Sequence, residues 1–304
     1  MDNKQIIVVS QQGTGDFVTV QEAVDSVGNE PVVIQVEPGI YKEKIVIHKN
    51  LPPITLLGKD LKNTILTYDD NAHTLGDDGS PIGTFRSASL FIYAPDFMME
   101  NMTIVNSSGP GTGQAVAAFV DADRALFRNV QFLGDQDTLY TGPGRQYYDQ
   151  CYIEGDVDFI FGPATAVFDH CHIHCKRKGG YITAASTPEN EEHGYIFLDC
   201  KVTGDAGVEK VYLGRPWRPY AKVTWVRTNM DASVHPSGWH NWGDLEKEKT
   251  SRYSEYGSYG LGANDMERVT WAQLISKEEA SELTPDFVLG GLDQWQPAKR
   301  SARV

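Results

Sequence analysis

A short apolar stretch with a small polar or thiol residue at one fixed register recurs along this chain. The copies are Phe97-Met98-Met99-Glu100-Asn101-Met102-Thr103-Ile104, Leu126-Phe127-Arg128-Asn129-Val130-Gln131-Phe132, Tyr147-Tyr148-Asp149-Gln150-Cys151-Tyr152-Ile153, Val167-Phe168-Asp169-His170-Cys171-His172-Ile173, Ile196-Phe197-Leu198-Asp199-Cys200-Lys201-Val202 and Trp225-Val226-Arg227-Thr228-Asn229-Met230-Asp231. The register residues Asn101, Asn129, Cys151, Cys171, Cys200 and Asn229 lie 28, 22, 20, 29 and 29 positions apart. A minimum near 20 with variable excess fits a β-solenoid, because each coil needs a few short strands and turns while insertions bulge out as loops. Side chains at one bend then stack into an internal ladder. A leucine-rich repeat would show a dense Leu pattern, and a WD-type propeller a longer, regular period. The expectation is an all-β chain wound as a parallel β-helix.

Length alone would suggest two domains, since 304 residues is twice the usual ~150. The repeat overrides that prior. No linker or low-complexity tract divides the chain, so residues 1–304 are expected to form one domain. A solenoid needs covered ends, and both termini carry helix signals. Thr19-Val20-Gln21-Glu22 reads as a capping box opening a helix with Val20, Ala23, Val24 and Val27 on one face. Thr270-Trp271-Ala272-Gln273 is expected to open another that runs to about Leu283 and stops before Pro285.

A net charge of −14 argues against a nucleic-acid partner, whose phosphates demand a basic face, and disfavours tight binding of a fully ionised polyanion. No stretch approaches the ~18 apolar residues of a membrane span. Residues 1–9 do not resemble a secretory signal, their apolar core being too short. The expectation is a cytoplasmic monomer, or a secreted protein if a leader was removed before residue 1. Cys171, Cys175, His170, His172 and His174 look superficially like a metal cluster, but on a strand the histidines face one side and the cysteines the other, so no metal and no cofactor are expected. Cys151 and Cys171, sharing a register on adjacent coils, could form a disulfide or remain thiols.

Asp137 and Asp158 lie 21 residues apart, one period of the repeat. Stacked one strand spacing apart, ~4.8 Å, two carboxyls do not both ionise easily. One pKa rises, and the pair divides into an acid and a nucleophile or base. Gln114 and Gln136 offer amide donors for an oxyanion, and Arg215 a guanidinium that clamps a carboxylate. The chain has no Gly-x-Ser-x-Gly elbow, no His-Glu-x-x-His and no phosphate loop before a helix.

Gly83-Thr84-Phe85-Arg86-Ser87-Ala88-Ser89, Gly113-Gln114-Ala115-Val116-Ala117, Gln136-Asp137-Thr138-Leu139-Tyr140, Gly155-Asp156-Val157-Asp158-Phe159-Ile160-Phe161-Gly162 and Leu213-Gly214-Arg215-Pro216-Trp217 arrive in an order that resembles the pectin methylesterases. The resemblance runs from Gly15 to about Gly262. It implies a right-handed parallel β-helix that removes methyl esters from galacturonate units of pectin or oligogalacturonides. By the same resemblance Asp158 is the nucleophile, Asp137 the acid and then base, Gln114 and Gln136 the oxyanion donors, and Arg215 the partner that orients Asp158. Sugar-binding positions match Thr84, Phe85, Tyr140, Phe159, Trp217 and Trp239. A β-helix thioesterase, a pectin lyase or glycosidase, and a carbohydrate-binding protein are the rival readings. The acid- and His-rich segment Thr187-Pro188-Glu189-Asn190-Glu191-Glu192-His193 is expected to form a loop.

Overall fold

The computed structural model describes residues 5–300. Short strands recur with the repeat, and each full coil gives one to each of three parallel sheets, of eleven, seven and eight strands. Ala125–Arg128, Arg145–Asp149, Thr165–Asp169 and Tyr195–Leu198, for example, stack in order in the eleven-stranded sheet. This is a right-handed parallel β-helix.

In-register pairing places each side chain over its equivalent one coil on. Phe127, Tyr148, Phe168, Phe197 and Trp225 form a column of stacked rings inside the helix, with successive centroids 4.9, 4.7, 4.5 and 3.7 Å apart. Cys151, Cys171 and Cys200 form a second column. Each is a buried thiol within reach of a backbone carbonyl: Phe127 O at 3.6 Å, Tyr148 O at 3.3 Å and Phe168 O at 3.3 Å. The alternative left open for Cys151 and Cys171 is thus resolved as thiols. Among the described residues no three His, Cys, Asp or Glu gather as metal ligands; His172 and His174 bond Thr203, while Cys171 and Cys175 point into the core.

The ladder register differs from the expected one by a residue. Pairing of Arg128 with Asp149, Asp149 with Asp169, and Leu198 with Val226 sets Asn101 and Asn129 in line with Gln150, His170, Asp199 and Arg227. All six hold φ between 50° and 57°, and Gly257 continues the row at 60°. This left-handed residue turns each coil from one sheet to the next, a role that suits Asn and Gly. Asn129 Nδ2 donates to Asn101 Oδ1 at 2.7 Å. The cysteines follow the bend residue and align with Met102, Val130 and Thr228, all turned inward.

The N-terminal helix opens where expected but ends at Asp25, short of Val27; it spans Val20–Asp25, with Thr19 accepting from the Glu22 N–H and Val20, Ala23 and Val24 buried over the first coils. The C-terminal one starts later than expected. Gln273–Leu274 pairs instead as the last strand of the eleven-stranded sheet. The capping box is Ser276 with Glu279, opening Lys277–Glu282, and Pro285 begins a further helix, Pro285–Leu289, with Thr284 as its cap. Ala280, Val288, Leu289 and Trp295 pack on Tyr147, Val167 and Ile196, so this segment runs back over the outer face of the eleven-stranded sheet. Arg145 fastens it there, its Nη2 2.9 Å from Asp293.

Because Phe168 is fully buried in the middle of the ring column, Phe168→Ala should destabilise the protein by about 3–5 kcal/mol. Chemical denaturation of the intact chain measures this; a loss under 1 kcal/mol would mean that the column contributes little beyond filling space.

Candidate active site

The seven-stranded sheet carries the aspartate pair. Its strand Leu139–Thr141 lies beside Val157–Gly162, with Leu139 opposite Ile160 and Tyr140 opposite Phe161, which sets Asp137 in line with Asp158. The Asp137 N–H donates to Val157 O at 3.0 Å. Both aspartates hold positive φ, 64° and 52°. For a residue with a Cβ this costs of order 1 kcal/mol each and persists only where the surroundings impose it. At Asp158 the cause is visible. Val157 faces Tyr181 but Ile160 faces Thr183, so one extra residue is inserted as a β-bulge, and the bulge turns Asp158 outward while Phe159 and Ile160 both enter the core.

Arg215 follows the strand Tyr212–Gly214, and its N–H donates to Thr183 O at 2.9 Å. Only glycine fits before it, since a Cβ at Gly214 would lie 2.0 Å from Thr183 Oγ1. The guanidinium grips Asp158 with two prongs, Nε to Oδ1 at 2.8 Å and Nη2 to Oδ2 at 2.7 Å. Its Cζ lies 3.8 Å from the Tyr181 ring centroid and 3.7 Å from that of Trp242, so the plane is held between two rings. Arg215 therefore has one position, and through it so does Asp158.

The two carboxyls are unequal. Burial raises Asp137 well above the usual carboxylate range, the charge of Asp158 and then Asp156 raise it further, and Arg215 opposes them. Burial also raises Asp158, but the hydrogen bonds and charge of Arg215 oppose the shift directly. Arg215 thus favours the charge of Asp158, while desolvation is the larger effect. Asp137 is the site that keeps its proton to higher pH.

A cleft of about 270 Å³ opens above the pair, lined by Asp137, Asp158, Arg215, Gln114, Gln136, Thr84, Phe85 and Trp217 among the positions expected from sequence. Tyr140 sits beside it, stacked on Phe119 at 4.5 Å and edge-on to Phe85 at 5.3 Å. Two expected aromatics do not belong. Phe159 is fully buried because the bulge turns it inward, and Trp239 is buried against Tyr253 with Nε1 donating to Glu255. Phe161 and Trp242 take those places in the cleft wall. Phe161 was recoverable from alternation counted forward from the strand's end, whereas Trp242 depends on its own positive φ of 63° in a loop, which leaves no pattern. The loop 187–193 lies away from the cleft: Arg252 donates to Pro188 O and Glu191 O, and the His193 ring packs on Phe287.

Comparison with known proteins agrees with this fold. The pectinesterase family model matches residues 6–291. The chain is 44% identical over 288 residues to pectinesterase 31 of Arabidopsis thaliana, covering 92% of this chain and 90% of that one. It is 40% identical to putative pectinesterase 11 of the same plant, with 96% and 81% covered. The solved pectin methylesterase from carrot superposes with a TM-score of 0.89 at 32% identity, covering 96% and 95% of the two chains. An alanine variant of a pectin methylesterase in complex with a hexasaccharide superposes with a TM-score of 0.83 at 30% identity, covering 96% and 98%.

The raised pKa of Asp137 has a consequence for stability. An unfolded Asp ionises near ~3.9, whereas the folded one keeps its proton to higher pH. Between those values the folded state binds the extra proton, so stability is lost as pH rises. Asp137→Asn, which cannot ionise, should therefore raise Tm relative to the unsubstituted protein at pH 7 and lose that advantage below pH ~4. Thermal unfolding across pH tests it, and an advantage that grows toward acid would show that Asp137 is ionised in the fold.

Proposed function

The chain belongs to the pectinesterase family, and from that premise we propose that Asp158 is the nucleophile and Asp137 the acid and base by which it cleaves its substrate. The enzyme is a carboxylic ester hydrolase that removes methyl esters from galacturonate units of pectin and releases methanol. The single observation that supports the assignment of roles is the in-register Asp137 and Asp158 pair with only Asp158 gripped by a guanidinium.

An oxygen of the Asp158 carboxylate attacks the ester carbonyl carbon, and negative charge gathers on the carbonyl oxygen. Gln114 and Gln136, whose side chains line the cleft beside the pair, donate to it. Collapse expels the methoxy oxygen, which takes the proton of Asp137 and leaves as methanol. Asp158 is then joined to the galacturonyl group as a mixed anhydride. Asp137, now ionised, takes a proton from water, and the hydroxide attacks the galacturonyl carbon and frees the Asp158 carboxylate. Arg215, held between Tyr181 and Trp242, fixes the Asp158 carboxylate in the position from which it attacks.

Residues 1–304 are read as one catalytic domain working as a monomer on methyl-esterified pectin or oligogalacturonides; a continuous core from Ile7 to Tyr253 supports the single domain. No helix among the described residues is long and apolar enough to cross a membrane. The cytoplasmic location expected from the first residues finds no support in the fold or the relatives. Thioesterase, lyase, glycosidase and pure binding readings are disfavoured by the family assignment and by the assembly of all five expected catalytic positions on one cleft.

Asp158→Asn should abolish methanol release, and Asp137→Asn should bind substrate yet turn over far more slowly; near-normal turnover in either would falsify the roles. Gln114→Ala and Gln136→Ala should each lower kcat by roughly 10²- to 10³-fold, with loss below fivefold placing the oxyanion donors elsewhere. The rate should be bell-shaped in pH, because Asp158 must be ionised and Asp137 protonated. Its acid limb should lie above the pKa of a free carboxyl.

A further inference from the structure

Trp242 supplies one of the two rings that hold the Arg215 guanidinium, and it does so from a loop position with φ 63°, a backbone angle that a bulky residue adopts only with support. The support comes from His240. Its ring Nδ1 accepts the Trp242 N–H at 3.0 Å, and its backbone N–H donates to Gly214 O at 3.1 Å, on the residue before Arg215. A backbone amide can only donate, so Nδ1 carries its lone pair and the ring is neutral with its proton on Nε2. His240 is half-buried against Tyr181 and Tyr212, whose ring centroids lie 5.5 and 5.2 Å away. His235 stacks on the same Tyr212 at 4.5 Å, and its Nδ1 accepts the Ser237 N–H at 3.0 Å. The groups facing His240 that carry or can take charge are therefore Arg215, Tyr181, Tyr212 and His235; no carboxylate pairs with it among the described residues. Burial, and then the charge of Arg215, hold its pKa below the ordinary value of a histidine.

We infer that His240 is a positioning residue for the ester hydrolysis: as a neutral acceptor it sets the Trp242 ring against Arg215, which holds the Asp158 carboxylate, so that full turnover requires the unprotonated imidazole. The inference rests on the reading of Asp158 as the nucleophile. A proton on Nδ1 would set a second donor against the Trp242 N–H and bring a second cation up to the guanidinium. Both effects push the loop off Arg215. The guanidinium meets Asp158 through two bonds of fixed geometry, so a small displacement of the ring that backs it is felt at the attacking oxygen. With a pKa below the ordinary ~6.5, the ring is neutral above that value and takes its proton as pH falls through it. Positioning is thus complete at neutral pH and lost in acid, in addition to the loss that follows when Asp158 itself is protonated.

The test follows kcat on fully methyl-esterified hexagalacturonate, whose ester groups do not titrate, from neutral pH down the acid limb. His240→Leu keeps the bulk against the tyrosines but has no acceptor; it should lower kcat at neutral pH about tenfold, and its curve should join that of the unsubstituted enzyme in acid. His240→Asn offers an oxygen in place of Nδ1, an acceptor for the N–H two residues on that takes no proton. It should recover most of the kcat that His240→Leu loses, and its acid limb should lie at lower pH and be less steep than that of the unsubstituted enzyme. His235→Asn should keep the original acid limb, because Ser237 is not part of the cleft wall. In NMR spectra of the ¹⁵N-labelled protein, the Trp242 amide should shift with pH in step with the His240 ring and cease to do so in His240→Asn. An acid limb common to His240→Asn and the unsubstituted enzyme, a neutral-pH kcat that His240→Leu does not lower, or a Trp242 amide indifferent to the ring would each overturn the inference. If Asp158→Asn released methanol while the amide still followed the ring, the assignment of the nucleophile would fall and the link from His240 to Trp242 would stand, so the two failures are separable.

Discussion

Parallel pairing in register, one strand spacing of ~4.8 Å between coils, is the constraint from which the rest of this molecule follows. Whatever a coil presents at one position, the next coil presents directly above it. Rings therefore meet rings from Phe127 to Trp225, and thiols meet thiols from Cys151 to Cys200. Left-handed bends meet bends from Asn101 to Gly257. These columns satisfy the interior without long-range design, since each contact needs only its neighbour.

The same rule brings Asp137 to Asp158. In most of the sheet, stacking like on like is cheap because the stacked groups are apolar or small. Two buried carboxyls resist it, and the resistance is what divides their roles. The fold then adds what stacking alone does not supply: a bulge that turns Asp158 out of the core, and an arginine held between Tyr181 and Trp242 that reaches one carboxyl and not the other. Both aspartates hold the left-handed backbone that the fold also uses at its bends, here turned toward the cleft.

The coil, its sheet count aside, was legible because an apolar repeat with a minimum near 20 residues fits few architectures besides a solenoid. Its register was not, because grouping Asn101 and Asn129 with the cysteines follows chemical type, whereas the fold aligns positions by backbone φ, where Gln150, His170, Asp199 and Arg227 serve equally. The five proposed catalytic positions, which the fold brings to one cleft, were legible as paired motifs. Phe159 and Trp239 were misplaced for a local reason: a one-residue bulge inverts alternation after Asp158, and the loop holding Trp242 turns that ring, not Trp239, onto the guanidinium. At the C-terminus the Thr270 start was overridden by sheet pairing of Gln273–Leu274, which leaves Ser276 and Glu279 to cap the helix.

The central claim is that the stacked pair divides into one protonated and one ionised carboxyl at working pH. Infrared spectra of the enzyme with its aspartates labelled with ¹³C at the side-chain carboxyl, recorded near neutral pH as a difference between the unsubstituted protein and Asp137→Asn, report the state of that group directly. The account predicts a protonated-carboxyl band in the unsubstituted protein that disappears in the variant and fades as pH is raised. A difference spectrum containing only ionised carboxylate from Asp137 would contradict it.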